Sequence, residues 1–593
     1  MNEYGWKNKI LRIDLSKSRI DSFVPDDSLL KNYLGGRGMG AKILYDAGRV
    51  DALAPENLLV FAAGPLTGTT TPASGRVSLS TKSPLTGTIF DSNCGGSFGP
   101  ELKKAGYDAI IIAGRSPEPI FIEIEDDRVE TKSAKKLWGK NVKETTNILK
   151  DKGSVACIGR AGEKLVPLAS IISDVVHAFG RGGVGAVMGS KNLKAVVVKG
   201  TGSVEIYDRA EFSKQKKAID RLLIACPTIS KGLSVFGTPF LVKITSWMKV
   251  LPVANFRFAE PEPDFDVTTF FAKTIAEKYS LRRKACYSCP IACKREDKEG
   301  KELPEYETIG LMGANIQNPD YDAVVEANRL CNDYGLDTIS VAGVLGCYSE
   351  MQNKGISPAE LINLTRMIGE KDGIGERLGR GAKAFAESEG YPEKAIQVKG
   401  LSLPSYDPRG VKGLGFSYAT SNRGGCHTRA YLVAPEILRK PKAIDPYTLA
   451  GKAGHTKVFQ DRFAAVDSLV VCKFAFFGAG EEEYANILSA VTGVDYTSED
   501  LMLVGERIWN VERLYNIREG FGKEDDILPD RFFKEKVNGR VIDKEEFLNT
   551  LEEYYRMRGW DENGVPTEGK LERLGVEGTG WKSKKNPGSE KNG

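Results

Sequence analysis

The chain has 593 residues, of which 41% are hydrophobic, and its 83 basic and 79 acidic side chains leave a net charge of +4. That length exceeds what one hydrophobic core supports and implies two to four domains, and the balance of charge excludes a nucleic-acid-binding surface spread over the whole chain. The ten cysteines are mostly isolated, unlike a disulfide framework; no apolar run reaches the roughly 18 residues that cross a bilayer; and MNEYGWKNKILRIDLS has no apolar signal core, so a soluble cytoplasmic protein is expected.

Residues 1–203 hold strand-length β-branched runs: KILRIDL, NLLVFAAG, RVSLST, DAIIIAG, PIFIEIE and LKAVVVKG. Glycine, proline or aspartate bounds several of them, which predicts an antiparallel β-rich domain. GGRGMGAK at 35–42 and FGRGGVGAV at 179–187 are alike, and two sheets related by a pseudo-twofold axis would explain the likeness. Two glycine-bearing stretches, 74–106 and 177–195, carry Arg76, Arg181 and Lys191. Glycine lets backbone N–H groups approach an anion and the cations favour phosphate. Neither stretch matches a P-loop or a dinucleotide fingerprint, and tight turns are the alternative use of these glycines.

From about 204 the apolar residues recur at helical spacing. Here CYSCPIAC places Cys286, Cys289 and Cys293 at C-x2-C-x3-C, and Cys472 stands far downstream in DSLVVCKF. Four soft thiolates suit an iron–sulfur cubane, and Pro290 stiffens the loop that must aim them. Zinc prefers two close knuckles, and only one such group exists; zinc or three free thiols are the competing readings. A cluster moves electrons singly and makes this a redox protein. Glu305 and Glu307 follow in LPEYETIG, as proton acceptors or as solvated loop carboxylates.

A loop-like stretch near 400 precedes a second helical region, 401–593, whose tail 582–593 is polar and expected to be disordered. Histidine is scarce, and His427 in TSNRGGCHTRAY is either an acid–base group or a structural one. Phe474, Phe476 and Phe477 hint at an apolar lining, although core packing is the commoner fate of such residues.

In order and spacing, GWKNKILRIDLS, YLGGRGMGAKIL, ASGRVSLSTKSPLTG, DSNCGGSFGPELKKAGYDAIIIAG, GRGGVGAVMGSKNLKAVVVKG, CYSCPIACKR, PEYETIG, CNDYGLDTIS, TSNRGGCHTRAY and DSLVVCKF resemble the tungsten-containing aldehyde ferredoxin oxidoreductases over nearly the whole chain. The resemblance implies an α+β protein: a β-rich base domain at 1–203 and two mainly helical domains at 204–400 and 401–593. It implies a tungsten bis-pterin cofactor, with molybdenum as the alternative metal and magnesium as a candidate bridge between the pterin phosphates. Cys286, Cys289, Cys293 and Cys472 would bind a [4Fe–4S] cluster. Arg76, Asn93, Gly95, Arg181, Gly182, Gly183, Asn332, Asp337, Arg429, Asp467 and Lys473 would contact the pterins, with Glu307 and His427 beside the metal.

Two departures stand out. The first pterin motif reads NDYGLD, with Asn332 where aspartate leads in the family. The second reads DSLVVC, with Val470 and Val471 where Gly-Leu is usual. The family's subunit-bridging iron is expected to be missing, because no histidine lies between His177 and His427 to join Glu326. The implied function is oxidation of a small aldehyde, with electrons passed to ferredoxin or a ferredoxin-like subunit, in a homo-oligomer or a larger complex. The alternatives are a complex subunit acting on an acyl- or aromatic-CoA, and an electron carrier without chemistry of its own.

Overall fold

The computed structural model describes residues 4–261 and 265–576; the tail expected to be disordered lies outside them. Twelve strands form two six-stranded sheets. The first contains β1 Ile10–Asp14, β2 Arg19–Phe23, β3 Leu59–Ala62, β4 Val77–Lys82, β5 Ile89–Cys94 and β6 Ala109–Ala113 in the order β2-β1-β6-β3-β4-β5. The second contains β7 Ile120–Glu125, β8 Arg128–Ser133, β9 Ser154–Cys157, β10 Ile171–Ser173, β11 His177–Phe179 and β12 Leu193–Lys199 in the order β11-β10-β9-β12-β7-β8.

The two orders are one plan repeated. Each begins with a hairpin, adds three antiparallel strands, and closes with a sixth strand inserted parallel to the first, β6 beside β1 and β12 beside β7. The pseudo-symmetric pair of sheets is therefore present, with one parallel pair in each that an all-antiparallel reading omits. The likeness that suggested it was out of register. GGRGMGAK lies between β2 and β3, whereas FGRGGVGAV runs from β11 toward β12. The true counterpart of the latter is the turn after β5, which leads into the helix Phe98–Lys104 as β11 leads into Val184–Ser190.

Alternation along the strands sets the layers. Leu11, Ile13, Phe61, Ile110 and Ile112 of the first sheet share one core with Ile122, Ile124, Val196 and Val198 of the second. Phe61 and Phe179 meet edge-on there, with centroids 5.4 Å apart. Each such fully buried side chain contributes about 1.5–3 kcal/mol. The opposite face of the first sheet, with Ile10, Val60, Ala62 and Ile111, joins the core of the helical part. Helix α1, Gly36–Ala47, lies on that face.

After β12 the chain becomes helical at Arg209, where Asp208 caps the first long helix. Four later helices frame the site: α2 Tyr321–Tyr334, α3 Thr338–Gln352, α4 Lys452–Leu469 and α5 Ser498–Arg518. Helices α1, α4 and α5 pack on one another. Among the described residues no helix is long and apolar enough to cross a membrane.

Candidate active site

A cavity of about 420 Å³ opens where the first sheet, the cysteine loop and both helical regions meet. Cys286, Cys289, Cys293 and Cys472 line it, as do Arg76, Asn93, Gly95, Arg181, Glu307, Asn332, Asp337, His427, Arg429, Asp467 and Lys473. Gly182 and Gly183 do not. They continue a left-handed turn begun by Arg181, and a Cβ on either would strike the Phe90 ring at 2.7 Å or the Pro167 carbonyl at 2.6 Å. Lys191 is also elsewhere, its ammonium bound to the Pro55 and Gly114 carbonyls.

The three clustered cysteines sit in a loop framed by a short ribbon, Arg282–Lys284 paired with Lys294–Glu296. One residue ties this loop to the fourth cysteine. The Ala73 N–H donates to the Ser288 carbonyl at 3.0 Å, and its own carbonyl accepts from the Cys472 N–H at 2.9 Å. Gly95 has no side chain because a Cβ there would lie 2.7 Å from the Cys286 sulfur. Burial pushes the Cys289 thiol up to about 12, with Cys472 and Cys286 adding to the shift, and it raises Cys293 well above its ordinary value. Crowded thiols of this kind ionise when a metal takes their protons' place. Among the described residues no three metal-binding side chains close on a single point. Arg76 brings a cation to this edge, with Nη1 3.9 Å from the Cys472 sulfur and Nη2 2.6 Å from the Asn93 carbonyl.

Both motif segments are helix ends. In the first, α2 ends at Gly335 with φ +70°, and Asp337 caps α3 by accepting from the Ser340 N–H at 2.9 Å. In the second, α4 ends at Val470 with φ +60°. That left-handed conformation favours glycine, and a β-branched residue rarely adopts it. Val470 is nonetheless fully buried, because Gly36 and Gly64 make room: a Cβ on them would stand 2.7 and 2.9 Å from Val470 Cγ2.

Beneath the second motif lies a buried charge network. Asp467 is 1% exposed and faces Arg37 and Arg429 at 3.4 Å each, together with Lys473. Arg37 grips Glu512 with two hydrogen bonds of 2.6 and 2.7 Å, and Arg429 lies 2.7 Å from Asp91. Burial opposes the Asp91 charge, but Arg429 and Arg37 outweigh it and hold the carboxyl low. Burial brings the Lys473 ammonium down to about 8.

Glu307 heads the helix Tyr306–Met312 and accepts from the Ser405 N–H at 2.7 Å through Oε2. Its Oε1 lies 3.4 Å from His427 Nε2, too long for a good hydrogen bond; among the described residues Oε1 and His427 Nδ1 are buried without hydrogen-bond partners. Burial raises Glu307 to about 8 and lowers His427 well below its ordinary value, helped by Arg181 and Arg423. At neutral pH the pair is therefore a carboxylic acid beside a neutral imidazole, although its distance qualifies as an ion pair. Tyr406 and Tyr431 flank the imidazole with centroids 5.8 and 5.9 Å away. Of the three phenylalanines only Phe474 lines the cavity; Phe477 stacks behind it and Phe476 stacks on Tyr484. Glu326 pairs with Arg329 on the surface of α2.

Several lining residues escaped the sequence reading: His177, Glu302, Asn328 and Arg423. Arg423 holds the buried Cys426 sulfur at 2.9 Å. Burial works against a Cys426 thiolate, but Arg423, Arg429 and Arg181 bring it down to about 5. Nothing in the isolated segment TSNRGGCH signals that role.

The cavity also fits a polar, anionic guest. Among the described residues, Asn93 Nδ2, Arg181 Nε and Arg429 Nε are buried donors without a hydrogen-bond acceptor, each costing about 1–3 kcal/mol until one arrives. A cysteine-lined cavity on this fold, with unfilled donors and an acid–base pair, defines a cofactor-dependent redox enzyme. Residues 10–200 match the family model described as aldehyde ferredoxin oxidoreductase, N-terminal domain, and residues 214–576 match that for its domains 2 and 3. The chain is 41% identical to the tungsten-containing aldehyde ferredoxin oxidoreductase of Pyrococcus furiosus, over 97% of this chain and 99% of that one. It is 40% identical to the protein of the same name from Thermococcus kodakarensis, with the same coverage. Among solved structures, the active-site complex BamBC of benzoyl coenzyme A reductase is similar, with a TM-score of 0.83, 26% identity and 97% of each chain covered. The chain belongs to the aldehyde ferredoxin oxidoreductase family.

Proposed function

We propose that the chain oxidises an aldehyde to a carboxylate at a tungsten bis-pterin centre and passes the electrons through a [4Fe–4S] cluster to ferredoxin. The observation that carries this reading is one cavity lined by four cysteines and by the acid–base pair Glu307 and His427. Identity of 41% to a tungsten enzyme of that name supports it. Aldehyde and water become carboxylic acid, two protons and two electrons. When bound, the tungstopterin supplies the two-electron acceptor and the cluster a one-electron relay. Cys286, Cys289, Cys293 and Cys472 would hold the cluster. Arg76, Asn93, Arg181, Asn332, Asp337, Arg429, Asp467 and Lys473 would hold the pterins, and magnesium between their phosphates belongs to the same reading.

Glu307 acts as general base through the unpartnered Oε1, taking a proton from water or from the hydrated aldehyde. The neutral His427 imidazole donates an N–H to the carbonyl oxygen as negative charge develops there. Tyr406 and Tyr431 shield both groups from water. Oxygen-free purification, elemental analysis, and an aldehyde assay with a viologen dye test the proposal. About one tungsten and four irons per chain with dye reduction support it; zinc alone, or metals without dye reduction, overturns it. The likeness to BamBC favours a second reading, a complex subunit acting on an aromatic-CoA; dye reduction by the isolated chain with aldehydes counts against it.

A further inference from the structure

One wall of the cavity has more hydrogen-bonding capacity than the protein uses. Glu302 lies on it, and its carboxylate accepts from Asn332 Nδ2 at 2.9 Å and from the Lys294 ammonium. Asn328, one turn before Asn332 on α2, lines the same cavity and is 7% exposed. Its amide faces the cavity and is available to a ligand. Asn332 gives one N–H to Glu302 and keeps its second N–H and its carbonyl for other use. The wall thus offers a carboxylate, a carbonyl and one whole amide. An amino-pyrimidine edge presents the complement, adjacent N–H donors beside a carbonyl acceptor, and donors to a carboxylate form the stronger, charge-assisted bonds.

We propose that Glu302, oriented by Asn332 and Lys294, is the carboxylate that accepts from the amino-pyrimidine edge of one bound pterin, with the Asn328 amide beside it. The inference rests on the pterin reading of the cavity. It also explains residue 332: an aspartate there would set two carboxylates against each other, and asparagine turns the contact into an attraction. In this chain the carboxylate stands on the neighbouring loop rather than at the helix end.

The test uses full-length protein made without oxygen in tungstate-supplied cells, as wild type, E302A, E302Q, N332D and E302A/N332D. After dialysis, pterin released on denaturation and iron per chain are measured, with thermal unfolding as a folding control. Glu305, 3.6 Å from Lys294, remains to balance that ammonium when Glu302 is removed. E302A and E302Q are expected to lose pterin about tenfold faster than wild type at unchanged iron. N332D also loses pterin, and E302A/N332D regains most of it because one carboxylate is restored. Wild-type pterin retention in E302A, or a double variant no better than E302A, overturns the inference while leaving the pterin reading intact. Absence of pterin from the wild type overturns both.

Discussion

The two motif segments, 332–337 and 467–472, share a backbone device and differ in everything around it. Both end a helix on a left-handed residue, Gly335 in one and Val470 in the other. The first keeps its polar groups lightly engaged: Asp337 caps a helix and lies 3.7 Å from Arg181, and Asn332 touches Glu302. The second is locked, its aspartate surrounded by Arg37, Arg429 and Lys473. One flank of the cavity is thus free to meet a ligand, while the other holds three parts of the chain together. The contrast teaches that, of two equivalent motifs facing one cavity, one can carry framework duty as well.

The largest expected effect falls on the acid–base pair between the two flanks. Glu307→Gln should lower turnover about 10²–10⁴-fold while metal content and thermal midpoint hold; a variant of full activity would remove Glu307 from the mechanism. Asp467→Asn should break the locked flank, leaving buried cations uncompensated at a cost of about 3–5 kcal/mol. Asp337→Asn should cost under about 1 kcal/mol, because an amide still caps the helix. Equal losses in denaturant unfolding would erase the comparison. Gly36→Ala should cost about 1–3 kcal/mol, since its Cβ would meet the Asp467 carbonyl at 2.4 Å and Val470 at 2.7 Å. The smallest effect is in pH. A general base works deprotonated, so turnover should rise as pH climbs through about 8, the value to which burial lifts Glu307. Because that pKa is raised on folding, the same group's contribution to stability is full below its ordinary value near 4.5 and is lost as pH rises to about 8. A pH–rate profile with no limb near 8 would assign the base elsewhere.

Local pattern made much of this readable. Strand runs carry their period within five or six residues, and three of the four cysteines lie within one loop. What the sequence hid depends on distance and space. The parallel partners β1 and β6 are brought together only by the closing of the sheet. Arg37 and Glu512 lie 475 positions apart. Val470 stood out as a departure from Gly-Leu, and its left-handed turn is accommodated because two remote glycines vacate the volume its side chain fills. Lys191 and Gly182 looked like anion-binding residues by type, but one is tied to carbonyls and the other pressed against Phe90. Glu302 had no motif of its own, since its importance comes from Asn332 opposite.

The Ala73 strap has a consequence for how the protein is made. Its N–H and carbonyl fix the loop of Cys286, Cys289 and Cys293 and the segment of Cys472 to the same peptide. The ribosome delivers the fourth sulfur, Cys472, 179 residues after Cys293. For the proposed cluster, loading is therefore a late event, because a stalled or clipped chain lacks the fourth ligand.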